Sequence, residues 1–165
     1  MSLPETARLR RELLLEQAIA KRENELVRLG TLVVLTLPEM RRNRLEESQL
    51  RNLAAVARDT TSVEVIANFI RYQIARAPDN WGTGPNEFGH TIIRQLYNQL
   101  REHAAAVTDE VARELGQTDS DLHGLAYIAL IRQYIGYLNR AFYFYNKAKD
   151  KEAAVTQLRQ VLDVK

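Results

Sequence analysis

The stretch Asp121–Lys147, DLHGLAYIALIRQYIGYLNRAFYFYNK, decides the fold. Leu125, Tyr127, Ile128, Ile131, Tyr134, Ile135, Leu138 and Phe142 place apolar side chains on nearly every side of a helix, and a helix that is apolar all round must be enclosed by others. The chain therefore reads as all-α: a single domain over residues 1–165, a bundle of about five to six helices around this central apolar one.

The flanking sequence supplies the enclosing helices. Phe88, Ile92, Leu96 and Leu100 recur at four-residue steps and predict a helix over about 87–104. Thr108–Leu115 either continues it or forms a short helix of its own before Gly116 and the Thr118-Asp119-Ser120-Asp121 cap. Beyond the central helix, Val155, Leu158 and Leu162 give Ala153–Leu162 one apolar face. Upstream, Val63, Ile66, Phe69, Ile70 and Ile74 predict a helix over 62–76, with Thr61 and Glu64 as a capping box. Between first-turn Pro4 and Gly30, Leu9, Leu13, Leu26 and Leu29 predict one long first helix over 5–29. The β-branched run Thr31–Leu37 reads by pattern as either a short extended segment or a buried helical turn, and the lack of a strand partner elsewhere in the chain favours the helix. Residues 77–86, with two prolines, two glycines and the only Trp, read as a loop.

Composition removes several function classes. The 165 residues contain no cysteine, which excludes thiol catalysis, disulfides and a Cys-based zinc site. The most apolar stretch, Leu122–Ile131, is closed by Arg132, well short of the roughly 20 apolar residues a membrane span needs. No secretory pattern opens the chain, so the expected location is cytoplasmic. Residues 1–76 carry 13 Lys+Arg against 10 Asp+Glu, and 12 of those cations are Arg, whose planar fork matches phosphate and carboxylate oxygens.

Catalytic signatures are weak. Glu87 precedes His90 by three residues, the spacing that serves di-iron bundles, but neither His103 nor His123 completes a second pair. Trp81-Gly82-Thr83-Gly84-Pro85 lacks the Gly-Lys-Ser/Thr ending of a phosphate-binding loop. There is no Gly-x-Ser-x-Gly elbow. The chain is expected to be no enzyme and to hold no metal or cofactor.

The strongest functional signal is arginine spacing. In a helix over Leu45–Arg58, Leu45, Leu50, Leu53, Val56 and Ala57 fall on one side, and Arg44, Ser48, Arg51, Ala55 and Arg58 on the other. Arg44, Arg51 and Arg58 repeat every seven residues, about 10.5 Å apart along the axis, and Arg41 and Arg42 extend the row past the helix start. Such a ladder suits a nucleic-acid backbone and not the reading of bases. The plainer alternative is a solvated face with a Glu47–Arg51 ion pair. The aromatic run Phe142-Tyr143-Phe144-Tyr145, followed by Lys147, Lys149 and Lys151, fits core packing better than base stacking.

Ser48-Gln49-Leu50-Arg51 resembles the Ser-Gln-x-Arg segment that opens a helix in the small helical subunit of type III CRISPR-Cas effector complexes, the Csm-type small subunit. Ile70-Arg71-Tyr72-Gln73-Ile74-Ala75-Arg76 resembles that family's later apolar helix ending in a small residue and Arg. With Phe88 and the segment Tyr143–Lys147, the likeness covers about residues 45–147. The charged N-terminal helix and the last amphipathic helix lie outside it. The resemblance implies a non-catalytic bundle that self-associates in a stack along a ribonucleoprotein filament, holding guide RNA and target RNA by their backbones beside other effector subunits. It assigns Arg51 and Arg76 to RNA binding, and the helical projection adds Arg41, Arg42, Arg44 and Arg58. The alternative function is an assembly adaptor without nucleic-acid contact, docking through the 31–37 run and the Trp81 loop.

Overall fold

A computed structural model describes residues 4–163, and these residues form helices and turns without a strand. In chain order the α-helices are α1 Glu5–Ala20, α2 Glu23–Val34, α3 Glu47–Asp59, α4 Val63–Arg76, the single turn α5 Pro78–Trp81, α6 Phe88–Tyr97, α7 Gln99–Leu115, α8 Leu122–Lys147 and α9 Lys151–Asp163. A 3-10 turn at Leu37–Glu39 follows α2. The eight longer helices exceed the expected five to six because two expected helices are each broken in two.

The first break falls at Lys21–Arg22. Arg22 turns back to donate from its guanidinium to the Ala18 carbonyl (2.6 Å), and Lys21 and Arg22 both pair with Glu110 of α7. Neither residue is a helix breaker, which is why periodicity alone runs straight through. The second break is Asn98, with φ −105° and ψ −89°, between α6 and α7. The Tyr127 hydroxyl of α8 donates to the Leu96 carbonyl beside it.

Gly30 does not end a helix: it lies inside α2, where the backbone of α8 comes close. A Cβ at Gly30 would stand 3.0 Å from the Leu138 nitrogen and 3.1 Å from its Cα. A branched side chain there must push the two helices apart, so Gly30→Val is expected to cost about 1–3 kcal/mol. An unchanged denaturation midpoint would show that α2 is free to shift. The run after Gly30 is helical through Val34, with Thr31, Val33, Val34 and Leu37 buried. In α1, Leu9 and Leu13 are exposed and Ala18 and Ile19 are buried, so α1 uses mainly its second half to join the core.

Helix α8 packs against α1, α2, α3, α7 and α9. Eleven of its residues are buried, from Leu122 to Tyr145. One buried polar chain ties it to two neighbours: the Tyr134 hydroxyl donates to Gln95 Oε1 (2.6 Å), and Gln95 Nε2 donates to the Leu29 carbonyl (3.1 Å). Every member of that chain is paired, as burial requires, and burial pushes the Tyr134 phenol far above its usual range.

Candidate nucleic-acid interface

Helix α3 starts later than the arginine spacing predicts. Glu46 is its N-cap, with Gln49 closing a capping box onto the Glu46 backbone N–H (3.0 Å). Residues 41–46 are irregular. Arg41, Arg42 and Arg44 are therefore exposed but off the helix, and the seven-residue ladder survives only as Arg51 and Arg58. The capping box expected at Thr61 and Glu64 is replaced by a simpler cap: Ser62 starts α4, accepting from the Val65 N–H (3.3 Å).

The irregular segment is stitched to α5. The Arg44 N–H donates to the Asp79 carbonyl (3.1 Å). Asn80 Nδ2 donates to the Arg44 carbonyl and to Gln49 Oε1, both at 2.8 Å. Arg42 pairs with Asp79 at 3.0 Å. Arg41 borders a cleft of about 270 Å³ lined by Met40, Pro78, Gly82 and Glu87. Because α4 ends at Arg76, just before α5, Arg76 lies at this same end of the bundle, 5.9 Å from the ring of Tyr72.

The Gly82-Thr83-Gly84 turn does cradle an anion, and it is one of the chain's own. Glu87 Oε2 accepts from the Thr83 N–H (2.7 Å) and the Gly84 N–H (2.8 Å). Gly82 has φ +75°, and a Cβ on it would come 2.6 Å from Glu87. Glu87 is thus committed to the turn instead of to His90. Among the described residues no group of three or more His, Asp or Glu gathers as a metal site.

Arg51 and Arg58 acquire new neighbours from α8, which runs antiparallel to α3. Arg132 donates to the carbonyls of Ala57 (2.9 Å), Arg58 (3.2 Å) and Thr60 (3.1 Å) at the end of α3. Asn139 Nδ2 reaches the Leu50 carbonyl (3.4 Å). Asn146 Nδ2 donates to Glu47 (3.1 Å), and Lys147 pairs with Glu47 at 3.3 Å. The Asn146 hydrogen bond, then Lys147, then the charge of Arg51 hold the Glu47 carboxyl below its usual range. The expected Glu47–Arg51 pair is replaced by this one.

In helical projection Glu47, Arg51 and Arg58 fall within about 40° of one another on α3, the row whose Glu47 meets Asn146 and Lys147 of α8. On α8, Arg132, Gly136, Arg140, Tyr143 and Lys147 fall within about 80° along the side next to α3. The two rows carry the exposed cations Arg51, Arg58, Arg140 and Lys147, with Glu47 and Asp59 as the acids beside them; the Arg140 guanidinium rests over Tyr137 of its own helix, 5.6 Å from the ring centroid. Arg132 is held at the α3 C-terminus, where a cation satisfies the last carbonyls. Arg132 and Arg140 escape sequence reasoning, since no local pattern says which helix lies beside α3.

Of the surface expected for an adaptor, the Trp81 loop exposes Thr83 and Pro85 while its aromatic anchor and most of the 31–37 run lie inside. Trp81 is fully buried, edge-on to Phe88 at 5.7 Å between ring centroids, and the 31–37 run is largely core. No described helix is long and apolar enough to cross a membrane. No protein-family model, curated protein or solved structure matches the chain.

Proposed function

We propose that this chain is a non-catalytic structural subunit that binds an RNA backbone through the α3–α8 face. The observation that supports the reading is the antiparallel pairing of the two helices, which sets the α3 row of Arg51 and Arg58 next to the α8 row of Arg140 and Lys147, all four exposed. Arg forks suit phosphate oxygens, and cations repeating along two rigid helices suit a regular backbone without reading sequence. The resemblance of Ser48–Arg51 and Ile70–Arg76 to the Csm-type small subunit supports a place in a ribonucleoprotein effector complex. In that setting guide and target RNA are the ligands, copies of the chain stack on one another, and other subunits carry the catalysis. Arg41, Arg42, Arg44 and Arg76, at one end of the bundle, then extend the contact beyond the helical face.

The test is fluorescence anisotropy with labelled RNA of several sequences across a salt series. Four phosphate contacts predict that log K falls with log salt at a slope of about −3 for single strands, with little dependence on sequence. No binding at low salt, or binding indifferent to salt, overturns the proposal.

A further inference from the structure

We infer that the α3–α8 face prefers single-stranded RNA to duplex, because Tyr143 presents an exposed aromatic ring for an unpaired base; the inference rests on the backbone-binding reading above. Within the run Phe142–Tyr145 the two outer residues are buried and the two inner ones are exposed, Tyr143 by 56% and Phe144 by 42%. The two rings leave the helix about 100° apart, and of the two Tyr143 lies in the row next to α3.

One cation lies against the Tyr143 ring and another stands a turn away. Arg140 precedes Tyr143 by three residues, its guanidinium resting over Tyr137 at 5.6 Å from the ring centroid. Lys147 Nζ lies 5.5 Å from the Tyr143 ring centroid, and its pairing with Glu47 holds it toward α3. Arg51 follows on α3 one turn after Glu47. A base stacked on Tyr143 thus brings its flanking phosphates to Lys147 and Arg51, the combination of ring and basic groove that single-strand binding uses. A duplex keeps its base faces stacked inside, so it gains from the cations and not from the ring.

The experiment compares an oligouridylate with an RNA duplex of equal length at one salt concentration, using the full chain. Wild type is expected to favour the single strand. Tyr143→Ala is expected to lose about tenfold on the single strand, at the scale of base–aromatic stacking, with duplex affinity and helicity unchanged. In a second measurement, Tyr143→Trp places an exposed indole on the face for oligouridylate to quench, against the buried Trp81 that wild type already contains. Equal losses on both ligands, no loss on either, or an indole signal in Tyr143→Trp that oligouridylate leaves unquenched overturns the inference while backbone binding stands. Failure of wild type to bind either ligand overturns both.

Discussion

Replacing Trp81 with alanine is expected to destabilise the chain by about 3–5 kcal/mol, the range for removing a large buried aromatic. At roughly 2–4 °C per kcal/mol for a chain of this size, the thermal midpoint should fall by roughly 6–20 °C. The side chain is fully buried, packs edge-on against Phe88, and its Nε1 has no hydrogen-bond partner among the described residues. Its contribution is therefore packing, and Trp81→Phe, which keeps a ring in the site, should cost distinctly less. The consequence reaches the basic segment as well. Trp81 ends the α5 turn, and Asp79 and Asn80 of that turn hold the backbone of Arg44. Loss of the indole should release residues 41–46, and trypsin should cut after Arg41, Arg42 and Arg44 faster in Trp81→Ala at temperatures where both proteins remain folded. A midpoint shifted by less than about 2 °C, the effect of under 1 kcal/mol, would mean that the turn is held by its hydrogen bonds alone.

The elements legible in the sequence are those whose reasons are local. The apolar surround of 122–147, the four-residue steps of 88–100 and the stripe 66–70–74 each follow from a side-chain period. The breaks at Arg22 and Asn98 are hidden because their causes lie elsewhere in the chain: the Glu110 pairings and the Tyr127 hydroxyl both come from other helices. Gly30 misleads for a related reason. Its missing side chain answers to Leu138, more than a hundred residues away, and not to a helix end. The arginine ladder is half legible. Arg51 and Arg58 keep their register, whereas Glu46 with Gln49 makes a better helix start than the arginine period suggests, leaving Arg41, Arg42 and Arg44 outside. The other half of the face, Arg140 and Lys147, comes from a pairing of α3 with α8 that no short window of sequence encodes. The aromatic run, which reads as core, divides: Phe142 and Tyr145 are core, Tyr143 and Phe144 are surface.

Reversing the charge on both helices at once, with Arg51→Glu, Arg58→Glu and Arg140→Glu, is expected to abolish RNA binding at physiological salt without altering the fold. All three side chains are exposed, Arg58 has only a loose 3.9 Å approach to Asp59, and Arg140 gives up one contact, with the half-buried Tyr137 ring at 5.6 Å. Each phosphate contact removed should lower the magnitude of the salt slope by about 0.7 on a single strand. Three removals leave one contact of the four and a slope of about −0.7, and the new carboxylates repel the backbone in addition. Circular dichroism and the thermal midpoint should stay near wild type, since exposed substitutions away from caps and cores shift stability by about 0.5 kcal/mol or less. Arg76→Glu separates the face from the end of the bundle. Arg76 stands over Tyr72 on α4, a helix that packs on α3 and not closely on α8, so its reversal should weaken binding by less than that of Arg51. An equal or larger loss at Arg76 would move the RNA path off the α8 row and toward the segment Arg41–Arg44, and the double helix row of Arg51, Arg58, Arg140 and Lys147 would then be a solvated surface.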